Sequence, residues 1–342
     1  SYGSAMPAIS TTKPIYAGYT FGGWYDTSAA SGGTQYYTAA CASARTWNKT
    51  AATTLYARWA KKASHAVTLN KNGGTGGTST VYYWPDKGYT TSSTSTAVIA
   101  SGSVLVSSRP TRTGYAFAGY YSAASGGTQY TDASGKRTAS APALSGASTW
   151  YAHWTPNSYT VEYWNKAGTA RLSLDSGFKY DTARALAAKP SSGVTAGYTA
   201  VGWSASANQT SATYGFGSSQ KNLVASGTKR LYLAETANTI ILTWNSQGGS
   251  AVAATSVVYA PTAKVKMPAA NPTKAGYTFK GWYTAASGGT KVASTTALPT
   301  ANTTYHAQWS PISYSIAYEL AGGSVSGNPT AYNVETASFT LK

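Results

Sequence analysis

The chain has 342 residues, of which 42% are hydrophobic and only 10% charged, so it can bury cores while presenting a surface that is polar without being ionic. Its 26 Lys and Arg against 9 Asp and Glu give a formal net charge of +17, a balance that attracts polyanions. One cysteine excludes an internal disulfide framework, and the lack of any 18-residue apolar run excludes a helical membrane span in this segment.

In chain order, the sequence writes one pattern repeatedly. Residues 1–61 carry "GYTFGGWY" at 18–25, "AASGGTQY" at 29–36 and "TTLYARW" at 53–59. Residues 64–155 begin with "AVTLNKNGG" at 66–74, pass a Ser/Thr-rich stretch "TTSSTSTAVIASGS", and continue with "GYAFAGYY" at 114–121, "AASGGTQY" at 123–130 and "STWYAHW" at 148–154. Residues 158–236 hold "YTVEYWNKAG" at 159–168, "GYTAVGWS" at 197–204 and "KRLYLAE" at 229–235. Residues 238–310 hold "TIILTWNSQGG" at 239–249, "GYTFKGWY" at 276–283, "AASGGTKV" at 285–292 and "TTYHAQW" at 303–309. Residues 312–342 contain the leading "YSIAYELAGG" at 314–323 and stop before another octet.

Each leading segment alternates apolar and polar positions, as in Tyr159, Val161 and Tyr163 or Tyr314, Ile316, Tyr318 and Leu320, which predicts a half-buried strand. The glycines after it predict a turn, and "AASGGT" predicts a hairpin within the unit. A unit therefore reads strand, turn, strand, Pro-rich approach, octet strand, hairpin and closing strand, which is mainly β architecture. The closing residues Trp59, Trp154, Glu235 and Trp309 are 95, 81 and 74 residues apart, too long for solenoid turns and right for small domains that each bury their own core.

Tyr19, Phe21 and Trp24, with Tyr277, Phe279 and Trp282, are read as core aromatics; the competing reading is a sugar-stacking platform. Gly23, Gly119, Gly202 and Gly281 are expected to allow a bulge or close packing. The third copy, with Ala200 for Phe and Glu235 for Trp, is expected to be the least well packed.

Nothing gathers into a catalytic pattern. Asp26, Asp132 and Asp175 have no companion acid nearby, and His65, His153 and His306 read as strand or strand-flanking residues. Cys41 has only Arg45 beside it and reads as a small buried hydrophobe. No phosphate loop, zinc spacing or dinucleotide fingerprint occurs, so no catalytic residue, cofactor or metal site is expected. The candidate polyanion contacts are the short basic clusters Lys61–Lys62, Lys136–Arg137 and Lys229–Arg230.

The octet, the following "GGT", the closing "TTLYARW" and the leading alternation resemble the Listeria-Bacteroides repeat, the internalin B-type repeat, over nearly the whole chain. That resemblance implies small β-grasp-like domains in a tandem array that forms an elongated rod, non-enzymatic, in a bacterial surface or secreted protein. The expected domains are 1–61 (lacking its leading strand), 64–155, 158–236 (divergent), 238–310 and 312–342 (incomplete). A stalk or fibre segment is the expected function. The alternatives are an adhesin module for anionic glycans or envelope polymers and a head-to-tail filament subunit. Neither nucleic acid binding nor membrane insertion of this segment is expected, whereas self-association end to end or side by side is an open partner choice. The incomplete ends fit a window cut from a longer array, or complementation between molecules.

Overall fold

Strands need neighbours to satisfy their main-chain groups, and in the second, third and fourth copies the sheet is assembled from the two ends of the same unit. In a computed structural model, which describes every residue except Thr96, all regular elements are β-strands. Thr96 was part of the Ser/Thr-rich stretch and lies outside the described residues.

In the first copy, β1 (Tyr19–Tyr25) lies between β2 (Gln35–Tyr37) and β3 (Tyr56–Lys61). The second copy contains β4 (His65–Asn70), β5 (Thr80–Trp84), β6 (Gly88–Thr90), β7 (Tyr115–Tyr121) and β8 (Ser148–Pro156), in the sheet order β6-β5-β4-β8-β7. The third contains β9 (Ser158–Trp164), β10 (Arg171–Lys179), β11 (Arg184–Ala185), β12 (Tyr198–Ser204), β13 (Ser219–Gln220) and β14 (Gly227–Ala237). Its main sheet runs β10-β9-β14-β12, and β11 pairs with β13 separately. The fourth contains β15 (Thr239–Asn245), β16 (Thr255–Val258), β17 (Tyr277–Tyr283), β18 (Lys291–Val292) and β19 (Thr303–Pro311), ordered β16-β15-β19-β17-β18. A short pair, β20 (Tyr314–Ser315) with β21 (Ala331–Tyr332), follows.

In the second, third and fourth copies the leading strand pairs in parallel with the closing strand: β4 with β8, β9 with β14 and β15 with β19. The octet strand then adds antiparallel on the far side of the closing strand. The alternation read from sequence is realised: Tyr159, Val161 and Tyr163 are buried, as are Ile240, Leu242 and Trp244. Residues 314–320 differ. Tyr314 and Ser315 pair with β21, Ile316 N donates to Thr330 O at 2.8 Å, and Tyr314 and Leu320 are exposed.

The octet glycine produces one feature four times. The pairing of octet and closing strand slips by one residue at Gly23, Gly119, Gly202 and Gly281, and each has a positive φ, from 116° to 152°. This is a β-bulge that leaves the preceding residue unpaired, and its glycine occupies backbone space that L side chains avoid. A Cβ on Gly119 would fall inside the carbonyl of Thr131, and one on Gly202 would come within 2.5 Å of the Tyr214 carbonyl.

Large aromatics fill the cores. Trp150 packs against Tyr89 and Tyr130 with ring centroids 5.3 and 4.8 Å apart, Trp203 against Tyr163 at 4.7 Å, and Trp244 against Trp282 at 5.0 Å. The octet aromatics read as core divide: Phe21 and Trp282 are buried, Trp24 and Phe279 are half-buried but pack against the core, and Tyr19 and Tyr277 are half-buried. Nor is the third copy hollow. Phe178, Leu231, Leu233 and Trp203 are buried there, and so are the two divergent residues, Ala200 and Glu235.

The chain divides into two compact units, one of residues 1–158 with 179–182 and 224–226, the other of residues 159–178, 183–223 and 227–342.

Candidate functional surface

The residues that could carry chemistry are held singly by local structure. Asp26 accepts the Thr34 amide at 2.7 Å and pairs with Lys49 at 2.7 Å; the Lys49 ammonium and that amide hold its carboxyl below the usual carboxylate range. Glu162 is held low in the same way by Arg171, at 2.9 Å, and Asp175 by Arg184, at 2.8 Å. His153 lies flat against Tyr121, 3.9 Å between ring centres, with Nε2 2.8 Å from the Ala123 carbonyl. His306 Nδ1 is 3.0 Å from Gln247 Nε2, and His65 opens β4 opposite Tyr83. Cys41 is buried in a turn at φ 64°. Among the described residues no three His, Cys, Asp or Glu side chains converge as a metal site.

The cations are arranged differently, above aromatic rings. Arg58 sits 3.5 Å over Tyr25, Arg112 4.0 Å over Tyr115, Lys166 4.4 Å over Tyr198 and Lys274 4.3 Å over Tyr277. With few carboxylates available, ring faces supply much of the negative potential that these charges meet.

The six predicted polyanion contacts fall into this pattern unevenly. In the first unit, Lys61 lies 4.4 Å over Trp84, Lys62 pairs with Asp86, and Arg137 approaches Tyr89 at 5.6 Å with its Nε buried. Lys136 is exposed, and its main-chain amide bonds Asp132. In the second unit, Arg230 pairs with Glu162 at 3.3 Å and lies 4.8 Å over Trp164, while Lys229 sits half-buried in β14 opposite Val161.

Two features escaped the sequence reading. One is a set of donors on the closing strand opposite the bulge glycine, at Arg58, His153 and Gln308. Arg58 donates to the carbonyls of Ala29 and Gly32, His153 meets Ala123, and Gln308 donates to Ala285 and Gly288, so all three pin the "AASGG" turn. Residue type changes while function stays, so no motif was visible; the third copy lacks that turn and has Ala234 here.

The other lies at the links between copies. The glycine that opens each octet accepts a main-chain hydrogen bond from the linker: Lys62 N to Gly18 O at 2.9 Å, Asn157 N to Gly114 O at 2.9 Å, Asn238 N to Gly197 O at 2.9 Å and Ile312 N to Gly276 O at 2.8 Å. The signal was present, since the Gly-Tyr pair is identical in all four copies, as is the bulge glycine.

Each copy's octet strand and bulge lie within a match to one family model, the Listeria-Bacteroides repeat domain, at residues 1–58, 65–144, 159–232 and 241–308. The chain belongs to the Listeria-Bacteroides repeat family. These repeats are typical of bacterial surface proteins and are generally structural rather than enzymatic. No helix among the described residues is long and apolar enough to cross a membrane.

Proposed function

We propose that this array of Listeria-Bacteroides repeats is a non-enzymatic spacer, a stalk segment of an extracellular bacterial surface protein that carries an adhesive part away from the cell. The observation that carries this reading is the linker hydrogen bond repeated four times, which leaves each short connection with no slack at its first residues. A tether built for free reorientation would leave those amides to water. Four compact repeats of this size are each roughly 30 Å across, so an extended array would reach on the order of 120 Å.

Small-angle scattering over a concentration and salt series tests this. A monomeric rod of about that span at every concentration supports a spacer; a compact particle contradicts it. Length that grows with concentration would instead make the chain a filament subunit.

A second reading, retention of anionic glycans or envelope polymers, is favoured by one observation. Lys136 and Lys229 have neither an ion pair nor a ring contact among the described residues. Its test is retention on an immobilised polyanion as salt rises, since exposed attraction is screened within about 10 Å at 0.1 M. Replacing both lysines with Gln abolishes retention if they carry it.

A further inference from the structure

The octet glycines 18, 114, 197 and 276 do more than accept the linker amide. All four have φ between 76° and 84°, and each turns its bare Cα toward one side chain from a segment beyond the linker. Gly18 meets the stem of Lys87, 3.4 Å from where its Cβ would lie; Gly114 meets the Tyr180 ring, Gly197 the Tyr259 ring and Gly276 the Val334 side chain. The last three are so close that a Cβ would overlap the incoming group.

The neighbouring tyrosine completes the corner. Tyr198 meets Tyr259 edge-on, centroids 5.6 Å apart, and Tyr115 meets Tyr180 likewise at 5.6 Å. The Tyr115 hydroxyl donates to Asp181, and that of Tyr277 to Glu335 at 3.0 Å. Where the incoming residue has a main-chain bond to the linker, it closes the ring of contacts: Tyr180 N donates to Asn157 O at 2.9 Å and Tyr259 N to Asn238 O at 2.8 Å.

We propose that this Gly-Tyr corner is the recognition site by which a repeat selects and locks the repeat that follows it, its occupant being a single aromatic or aliphatic side chain presented at the end of the next leading hairpin. The inference rests on the spacer reading and adds to it a specific coupling. Stability passes between adjacent repeats through the corner, so that neighbours open together instead of as independent beads.

The third and fourth repeats, both in the second unit, give the clean test, because a matched control exists. Gly197, at φ 84°, is packed under Tyr259, whereas Gly227, at φ 81° and in the same repeat, has open space where a Cβ would lie. Gly197→Ala and Gly227→Ala therefore incur similar backbone strain, and only the first evicts the occupant. Amide hydrogen exchange on the full chain is the readout. Both variants should speed exchange in the third repeat, roughly 5- to 30-fold from strain alone. Only Gly197→Ala should also speed the β15 and β16 amides of the fourth.

The reciprocal variant, Tyr259→Ala, leaves the corner backbone untouched and should speed exchange at Tyr198 and Thr199, while Tyr259→Phe should not. Combining Gly197→Ala with Tyr259→Ala should add little to either alone. Effects confined to the mutated repeat in both directions would overturn the coupling. If the scattering span of these variants is unchanged in that case, the spacer reading stands and only the corner's role is lost; a wild-type chain that scatters as a compact particle removes the spacer reading itself.

Discussion

The third and fourth repeats share an octet strand, a bulge and a parallel leading strand, yet solve the region around the closing residue in opposite ways. The fourth uses Trp309, half-buried against Phe279 at 5.3 Å, with its indole N–H donating to the Ser246 carbonyl at 2.9 Å. The third places Glu235 there, fully buried. One carboxylate oxygen accepts the Thr195 amide at 2.9 Å, the other has no partner, and the Lys166 ammonium donates to the residue's main-chain carbonyl at 3.2 Å. Ala200 stands where the fourth repeat has Phe279, so the smaller side chain makes room for this polar arrangement. The frame is thus set by backbone features and a central Trp, and the closing position accepts either a ring or a buried carboxylate held through one of its two oxygens.

The comparison is broken most severely at what the two repeats share. Trp203→Ala and Trp282→Ala each remove a fully buried indole and should cost about 3–5 kcal/mol by urea unfolding, with neither repeat spared. The next effect separates the repeats. Gly202→Ala drives a Cβ to 2.5 Å from the Tyr214 carbonyl, while Gly281→Ala meets the flexible Lys291 Cε at 2.6 Å, which can swing aside. The first should cost about 3 kcal/mol, strain plus overpacking, and the second about 1–2 kcal/mol, strain alone. Equal losses would show that the bulge carbonyl yields as easily as a lysine stem.

Glu235→Ala strands the Thr195 amide inside the third repeat and should cost about 1–3 kcal/mol, read as a lower urea midpoint at unchanged slope. The smallest effect at neutral pH appears only in alkali. Burial raises the phenol pKa of Tyr163 in the third repeat and of Tyr305 in the fourth, and the bond to Glu335 raises that of Tyr277. A folded-state value raised above the unfolded one gives stability that is complete below pH 10 and is lost as pH climbs through the folded values. Thermal melts from pH 9 to 12 should therefore fall in both repeats, and Tyr305→Phe should flatten the decline in the fourth.

Much of the frame was legible in the residues. Period-two alternation located the leading strands, glycine pairs located turns, and a glycine fixed before an aromatic in four copies announced the bulge. What stayed hidden depended on partners distant in sequence. Tyr277 has the composition of a core residue, and only its bond to Glu335 at the corner shows why it sits half-buried. Arg58, His153 and Gln308 share a role without sharing a residue type. Glu235 reads as a defect until Thr195, 40 residues away, is seen to donate to it.

The parallel pairing of first strand with last has a consequence for how the chain comes into being. In the fourth repeat Leu242 is matched with Thr303, and in the second Val67 with Ser148, so a leading hairpin synthesised first has no sheet to join until the end of its repeat has emerged. Such non-local closure is slow compared with hairpin formation. The nascent chain therefore matures in steps, one repeat snapping shut at a time from the N-terminal side, with a single open hairpin at its growing front.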